Sequence, residues 1–236
     1  MAEERKIIKT GTPGLDEILG GGIEEKSITA LTGGPGSGKT TFVLQYLYFG
    51  AKKYKDPGMF ISFEETKEDI YFHYLKFGWD LEKLEEENLF TILTYKPYEI
   101  KKLFERGGSM LRDVITSMDV KRIGIDSITT YSLLFENIYE ARNGLISMFE
   151  NFKKWECTTL VTSERDSVLD EKSRIGIEYM VDGLVNIYYR RQKKGRTRAI
   201  EIVKMRGLEH KEDIYTFKIT KTGIAVDTEK NIFFEV

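Results

Sequence analysis

The sequence predicts an α/β fold: a mostly parallel, twisted sheet with helices on both faces, finished at one edge by antiparallel strands. Three observations carry that expectation. Short apolar runs alternate with amphipathic stretches through the first two thirds of the chain. The first strong run, residues 27–32, opens into a glycine-rich turn that leads directly into a helical stretch. Beyond Gly183 the helical stretches stop and apolar runs follow one another closely, as hairpins do.

Taken in order, residues 27–32 (SITALT) read as a strand and residues 40–54 as a helix, with Val43, Leu47, Ala51 and Tyr54 at helical spacing. The turn Asp56-Pro57-Gly58 introduces a second strand, 59–63. Residues 67–77 are helical in pattern and 89–94 form a third strand. Met110, Leu111, Val114, Ile115 and Met118 make one helical stripe, followed by a short strand, 122–125, that ends in Asp126. Ala141, Leu145, Met148, Phe149 and Phe152 make another stripe, and 158–162 is the next strand. Strands 183–189, 198–204, 214–219 and 224–226 complete the chain. No internal repeat, low-complexity stretch or linker divides it, so residues 1–236 are expected to form one domain.

Composition bounds the function. Lys plus Arg number 36 and Asp plus Glu 38, a net charge of −2, and 41% of residues are hydrophobic. Disorder and collagen-like repeats are excluded, and near-zero charge does not mark a dedicated nucleic-acid binder. No apolar run approaches the ~18 residues of a membrane span, so no membrane partner is expected. The charged start with no apolar stretch after it predicts no signal peptide. The single cysteine, Cys157, points to a reducing, cytoplasmic setting. One Cys and two His leave little scope for zinc or a Cys–His nucleophile.

Residues 33–40, Gly-Gly-Pro-Gly-Ser-Gly-Lys-Thr, match G-x-x-x-x-G-K-[ST] between a strand and a helix. Glycines let successive backbone N–H groups curl toward phosphate oxygens, and the helix N-terminus adds partial positive charge. Gly34, Pro35, Gly36, Ser37, Gly38, Lys39, Thr40 and Thr41 are therefore the candidate nucleotide-binding residues. Lys39 would meet the β- and γ-phosphates, the Thr40 hydroxyl a Mg²⁺ ion, and Thr41 the α-phosphate. A plain glycine-rich turn is the alternative, but motif and flanking elements agree on binding.

Mg²⁺ prefers one or two carboxylates with water and phosphate oxygens. Asp126, at a strand end on the same sheet edge, is the candidate second metal residue beside Thr40; an Asp opening a turn is the alternative. Glu64 and Glu65 close the strand 59–63 and are the candidate catalytic carboxylates, one polarising water and the other placing it. A solvated acidic helix start reads equally well there. Thr162 and Ser163 end a further strand and are candidate γ-phosphate sensors. Residues 190–198 hold six cations in nine positions after Tyr188 and Tyr189. Arg190, Arg191, Lys193, Lys194 and Arg196 on such a hairpin can hold single-stranded DNA by phosphate contact and base stacking. A solvated turn, or a loop facing the acidic stretch 81–87 of another subunit, reads as well.

These residues together resemble the KaiC-like branch of the RecA superfamily over nearly the whole length. The carrying pieces are the opening TGTPGLDEILGGG (10–22), the loop GGPGSGKTT, FEET (63–66), FGWDL (77–81), IDS (125–127), TSER (162–165), KMRG (204–207) with His210, and residues 217–223. The resemblance implies a RecA-like P-loop NTPase core, with ATP and Mg²⁺ as cofactors. It favours Glu64 as the catalytic carboxylate. It implies that Lys204, Met205 and Arg206 reach a nucleotide held by a neighbouring subunit, with His210 and the Thr220–Lys221 turn by the ribose and base of that same nucleotide. A homo-oligomer is then implied, a hexameric ring or a filament. The clock protein of the family has two such domains and a Ser-Thr pair where this chain has Glu178 and Tyr179, so Ser/Thr autophosphorylation is not expected. Leu208 stands where a Thr is common. The expected activity is slow, Mg²⁺-dependent ATP hydrolysis. The alternatives are a DNA-binding regulator of recombination, like archaeal paralogues of the RadA recombinase, and a nucleotide-dependent signalling scaffold.

Overall fold

The computed structural model describes residues 6–96, 98, 99, 102, 104, 108–164, 175–192 and 195–232. A small antiparallel ribbon, β1 (Ile7–Ile8) with β2 (Ile23–Glu24), encloses the short helix α1 (Leu15–Ile18). The central strand β3 (Ile28–Gly33) is buried along its whole length, as a strand covered on both faces must be. It feeds α2 (Lys39–Phe49), which runs on as a π-helical turn to Tyr54 and stops at Lys55, whose φ is 58°. Then come β4 (Gly58–Ser62), α3 (Lys67–Leu75), α4 (Leu81–Glu86), β5 (Phe90–Thr94), α5 (Ser109–Met118) and β6 (Arg122–Asp126). They are followed by α6 (Ile128–Ser132), α7 (Ile138–Lys154), β7 (Thr158–Glu164) and α8 (Ile177–Met180). The strands β8 (Gly183–Gln192), β9 (Gly195–Met205), β10 (Ile214–Thr220) and β11 (Gly223–Asn231) close the chain.

The main sheet has nine strands in the order β11-β10-β9-β8-β3-β7-β6-β4-β5. From β8 to β5 every pairing is parallel; from β8 to β11 every pairing is antiparallel. The α/β class, the parallel core and the antiparallel edge are as the sequence predicts. The register pairs Gly33 with Glu164 and Ser62 with Asp126, so the parallel strands end together and bring their following loops to one edge.

Two apolar layers sandwich the sheet. One is built on Phe42, Leu44 and Leu47 of α2; the other on Leu111, Leu145, Met148 and Phe152 of α5 and α7. The lone glycine in β6 makes the first layer possible: a Cβ on Gly124 would lie 2.3 Å from Val43 Cγ1 and 2.9 Å from Leu47 Cδ1. Gln45, fully buried on α2, donates from Nε2 to Ile224 O (2.9 Å) and accepts from Ile224 N (2.6 Å), tying the loop helix to β11. Gly223 allows that approach, with φ +117° and only 2.3 Å between a notional Cβ and Gln45 Oε1.

The structure departs from expectation in two ways. The short helices α1, α4, α6 and α8 carry too few turns to show a period in sequence, although Asp80 and Ser127 cap two of them by accepting from Lys83 N and Thr130 N. Strands β8, β9 and β11 outrun their expected bounds, because hairpin pairing continues past the apolar residues, as at Gln192↔Gly195. Among the described residues no helix is long and apolar enough to cross a membrane.

Candidate functional site

The turn between β3 and α2 is wound by Gly36 and Gly38, both at positive φ, and Ser37 Oγ donates to Gly34 O across it at 2.8 Å. Lys39 is only 8% exposed, and its ammonium donates to Gly33 O (2.9 Å) and Gly34 O (3.1 Å) inside the curl. Burial holds its pKa below the usual value, against the pull of Asp126, Glu164 and Glu64. The arrangement is a desolvated cation held against two backbone carbonyls in a glycine turn at a helix N-terminus, a setting suited to a polyphosphate.

Asp126 ends β6 beside this turn. Thr40 Oγ1 donates to its Oδ2 and Thr162 Oγ1 to its Oδ1, each at 2.5 Å. Burial raises the Asp126 pKa; the two hydroxyls and Lys39 oppose the rise, and Glu64 adds to it. The peptide bond to Ser127 is cis. Asp126 and Thr40 offer hard oxygen donors of the kind Mg²⁺ takes. Among the described residues no cluster of three or more His, Cys, Asp or Glu could cage a metal. An ion here would therefore be completed by phosphate and water, as Mg²⁺ prefers.

Glu64 and Glu65 part company. Glu64 Oε1 accepts from Thr130 Oγ1 (2.8 Å) and Ser127 Oγ (3.4 Å), which aims it along the carboxyl edge toward Asp126. Glu65 Oε2 lies 3.2 Å from His73 Nδ1 on α3, and both side chains are exposed. Of the two candidate sensors, Thr162 is engaged by Asp126, whereas Ser163 Oγ is 3.4 Å from Thr129 Oγ1 of α6. Sequence reasoning missed the hydroxyls of Thr129 and Thr130. The signal was present in the Ser/Thr run after Asp126, which also caps α6. It also missed Tyr74, buried on α3, whose phenol pKa is raised chiefly by burial, with Thr41 opposing the rise. Arg198, read in sequence only as part of the basic hairpin, donates to Gly36 O at 3.1 Å and lies 4.1 Å over the Tyr189 ring.

The residues expected to serve a neighbour's nucleotide are split between two edges. Met205 pairs with Gly183, which pairs with Thr29 near the amino end of β3. Lys204, Met205 and Arg206 therefore lie at the edge opposite the chain's own phosphate loop. Lys204 Nζ donates to Val181 O (2.7 Å) and Glu178 O (3.1 Å), and burial lowers its pKa, with Arg206 and Lys153 adding to the effect. His210 is half-buried on the loop that follows, its Nδ1 3.1 Å from Lys211 O. Thr220 and Lys221 do not join them. Strand β10 runs back across the sheet, with Phe217 opposite Arg198, and its end comes up beside the chain's own loop. There Ile219 Cδ1 lies 3.2 Å from a notional Cβ on Gly38. Two antiparallel reversals thus set Thr220 and Lys221 at the opposite end of the strands from Lys204, Met205 and Arg206, beside the chain's own loop.

The basic hairpin projects past the end of β3. Arg191 pairs with Arg196 across it, and both are exposed; Arg196 stacks 5.0 Å over Tyr189, and Arg190 5.9 Å over Tyr188. Lys193 and Lys194 lie outside the described residues. Tyr179 is 60% exposed on α8, and Leu208 packs partly against the core.

A glycine cup with a buried lysine, at the carboxyl edge of a parallel sheet and flanked by a strand-end aspartate, defines a P-loop nucleotide-binding protein with a RecA-like core. The family model "ATPase: KaiC" matches residues 8–231, and the chain belongs to that family. It is 34% identical over 238 residues to a UPF0273 protein of Methanocaldococcus jannaschii, covering 95% of this chain and 98% of that one. It is 34% identical over 235 residues to the circadian clock oscillator protein KaiC of Parathermosynechococcus lividus, covering 96% of this chain but only 43% of the clock protein. Among solved structures, a KaiC-like protein from the hyperthermophilic archaeon Pyrococcus horikoshii superposes with a TM-score of 0.83 at 33% identity, covering 94% and 99% of the two chains. ATP binding follows from membership of this ATPase family.

Proposed function

We propose that the protein is a slow, Mg²⁺-dependent ATPase that works as a homo-oligomer, with each nucleotide shared between two subunits. The observation that carries the hydrolytic reading is the Asp126 carboxylate, gripped by the Thr40 and Thr162 hydroxyls and set near Glu64. The loop N–H groups and Lys39 bind the triphosphate; Thr40 and Asp126 would hold Mg²⁺, which would supply charge neutralisation to the phosphates. Glu64, oriented by Thr130, accepts the proton of the attacking water. Thr220 and Lys221 flank the nucleoside of the same subunit. Lys204 and Arg206 cannot reach their own loop, which supports their acting on the γ-phosphate of an adjacent subunit, as an arginine finger does. A pure scaffold has no need of an oriented carboxylate at this place.

Sedimentation with and without Mg²⁺·ATP tests the reading; ATP-dependent assembly is expected, and a monomer in both conditions would overturn it. The exposed Arg191 and Arg196 favour a second role, single-stranded DNA binding on the assembled hairpins. With labelled oligonucleotide in the same run, salt-sensitive co-sedimentation that is lost in Arg191→Ala/Arg196→Ala supports that role, and no co-sedimentation removes it.

A further inference from the structure

At the edge far from the phosphate loop, three strands meet on one buried acid. Asp182, 9% exposed, stands between α8 and β8. Its N–H donates to Ile28 O (2.8 Å), and its carboxylate accepts from Ile28 N (2.9 Å), fastening it to the start of β3. Its carbonyl accepts from Arg206 N (2.9 Å) just past the end of β9. The same carboxylate pairs with Lys153 of α7 (2.6 Å) and faces the Arg206 guanidinium at 3.6 Å. One residue earlier in the chain, Val181 O holds the Lys204 ammonium. Three cations thus converge on one anion: Lys153, Lys204 and Arg206. Without it they would repel one another, and the two at the end of β9 would swing apart. The grip on Arg206 is loose enough to leave that side chain 56% exposed, so a guanidinium with five donors can be aimed from behind and still offer its front to a phosphate.

We infer that Asp182 is a positioning residue for the shared site: through its carboxylate and backbone it aims Arg206 and Lys204 at the nucleotide of the adjoining subunit. The inference rests on the shared-site reading and goes beyond it by naming the group that orients the cations. Asp182 does not touch the nucleotide. It ties the backbone beside both cations to β3, the strand that carries the phosphate loop at its other end.

The test uses full-length chains in ATP turnover. Asp182→Asn keeps an acceptor for Ile28 N but removes the charge. It is expected to melt close to the wild type, bind a fluorescent ATP analogue with little change in affinity, and lose turnover about 10- to 100-fold, the scale of a misplaced group. Mixed equally with Glu64→Gln, whose loop is dead but whose cations are intact, it should recover roughly a quarter of wild-type turnover, as random pairing across head-to-tail interfaces gives. Should Asp182→Asn not fold, Asp182→Ser takes its place in the same assays. Wild-type turnover in the variant overturns the inference. So does failure of the mixture to recover when Arg206→Ala mixed with Glu64→Gln does recover. If Arg206→Ala itself turns over normally, the shared-site reading fails instead, and this inference falls with it.

Discussion

Glu64 and Glu65 are adjacent in the chain but face different partners, Thr130 in one case and His73 in the other. Glu64→Gln is therefore expected to lower turnover about 10²- to 10⁴-fold, the usual worth of a general base, while Glu65→Gln stays within a few-fold of wild type. Steady-state phosphate release decides between them; equal losses would show that position along the chain matters more than the hydroxyl that aims Glu64. Asp126 bears on stability as well as chemistry. Burial raises its pKa in the folded, nucleotide-free protein above the ordinary 3.8, so the native state holds this proton more tightly than the unfolded chain does. That contribution is complete below the unfolded value and is lost as pH rises through the raised folded one. Asp126→Asn, which cannot ionise, should melt higher than wild type at neutral pH, with the advantage vanishing in acid. Turnover should be lost at the same time. Melting curves across pH without nucleotide or metal check the sign.

At the scale of elements, the loop helix α2 is held by two contacts that composition does not advertise. Gly124 reads in the sequence as a break in an otherwise apolar strand. In the fold it is the space into which Val43 and Leu47 pack. Gly124→Ala should cost about 1–3 kcal/mol through overpacking, read as a lower urea midpoint with an unchanged slope. An unaffected midpoint would mean α2 can slide on the sheet. Gln45 is one of only two glutamines in the chain, and it makes two hydrogen bonds with Ile224 as a strand would, joining α2 to the last hairpin. Strands and long amphipathic helices were legible because burial imposes a period. The four short helices were not, since capping and a single turn leave only a local signal.

At the scale of the whole molecule, the two faces of the proposed chemistry sit at opposite edges of one sheet. No single chain can close its own site with Lys204 and Arg206, so turnover per subunit is expected to rise with protein concentration. Arg206→Ala should still bind ATP at the loop within a few-fold while losing turnover about 10³-fold or more, the scale of an arginine finger supplied in trans. Rates that are independent of concentration, or a full-rate variant, would oppose this. With a net charge of −2, long-range repulsion between copies is weak, and assembly can be governed by local complementarity.

Local sequence by itself determined the α/β class, the phosphate loop from Gly33 to Thr41, and the carboxylates that close neighbouring strands. Each is encoded within a few residues, by spacing or by the backbone freedom of glycine. Only the tertiary structure decided which carboxylate is aimed by Thr130, which edge receives Lys204 and Arg206, and that Thr220–Lys221 returns to the chain's own loop. Those outcomes depend on strand order and on how many times the chain reverses, and such contacts between distant residues leave no period along the sequence.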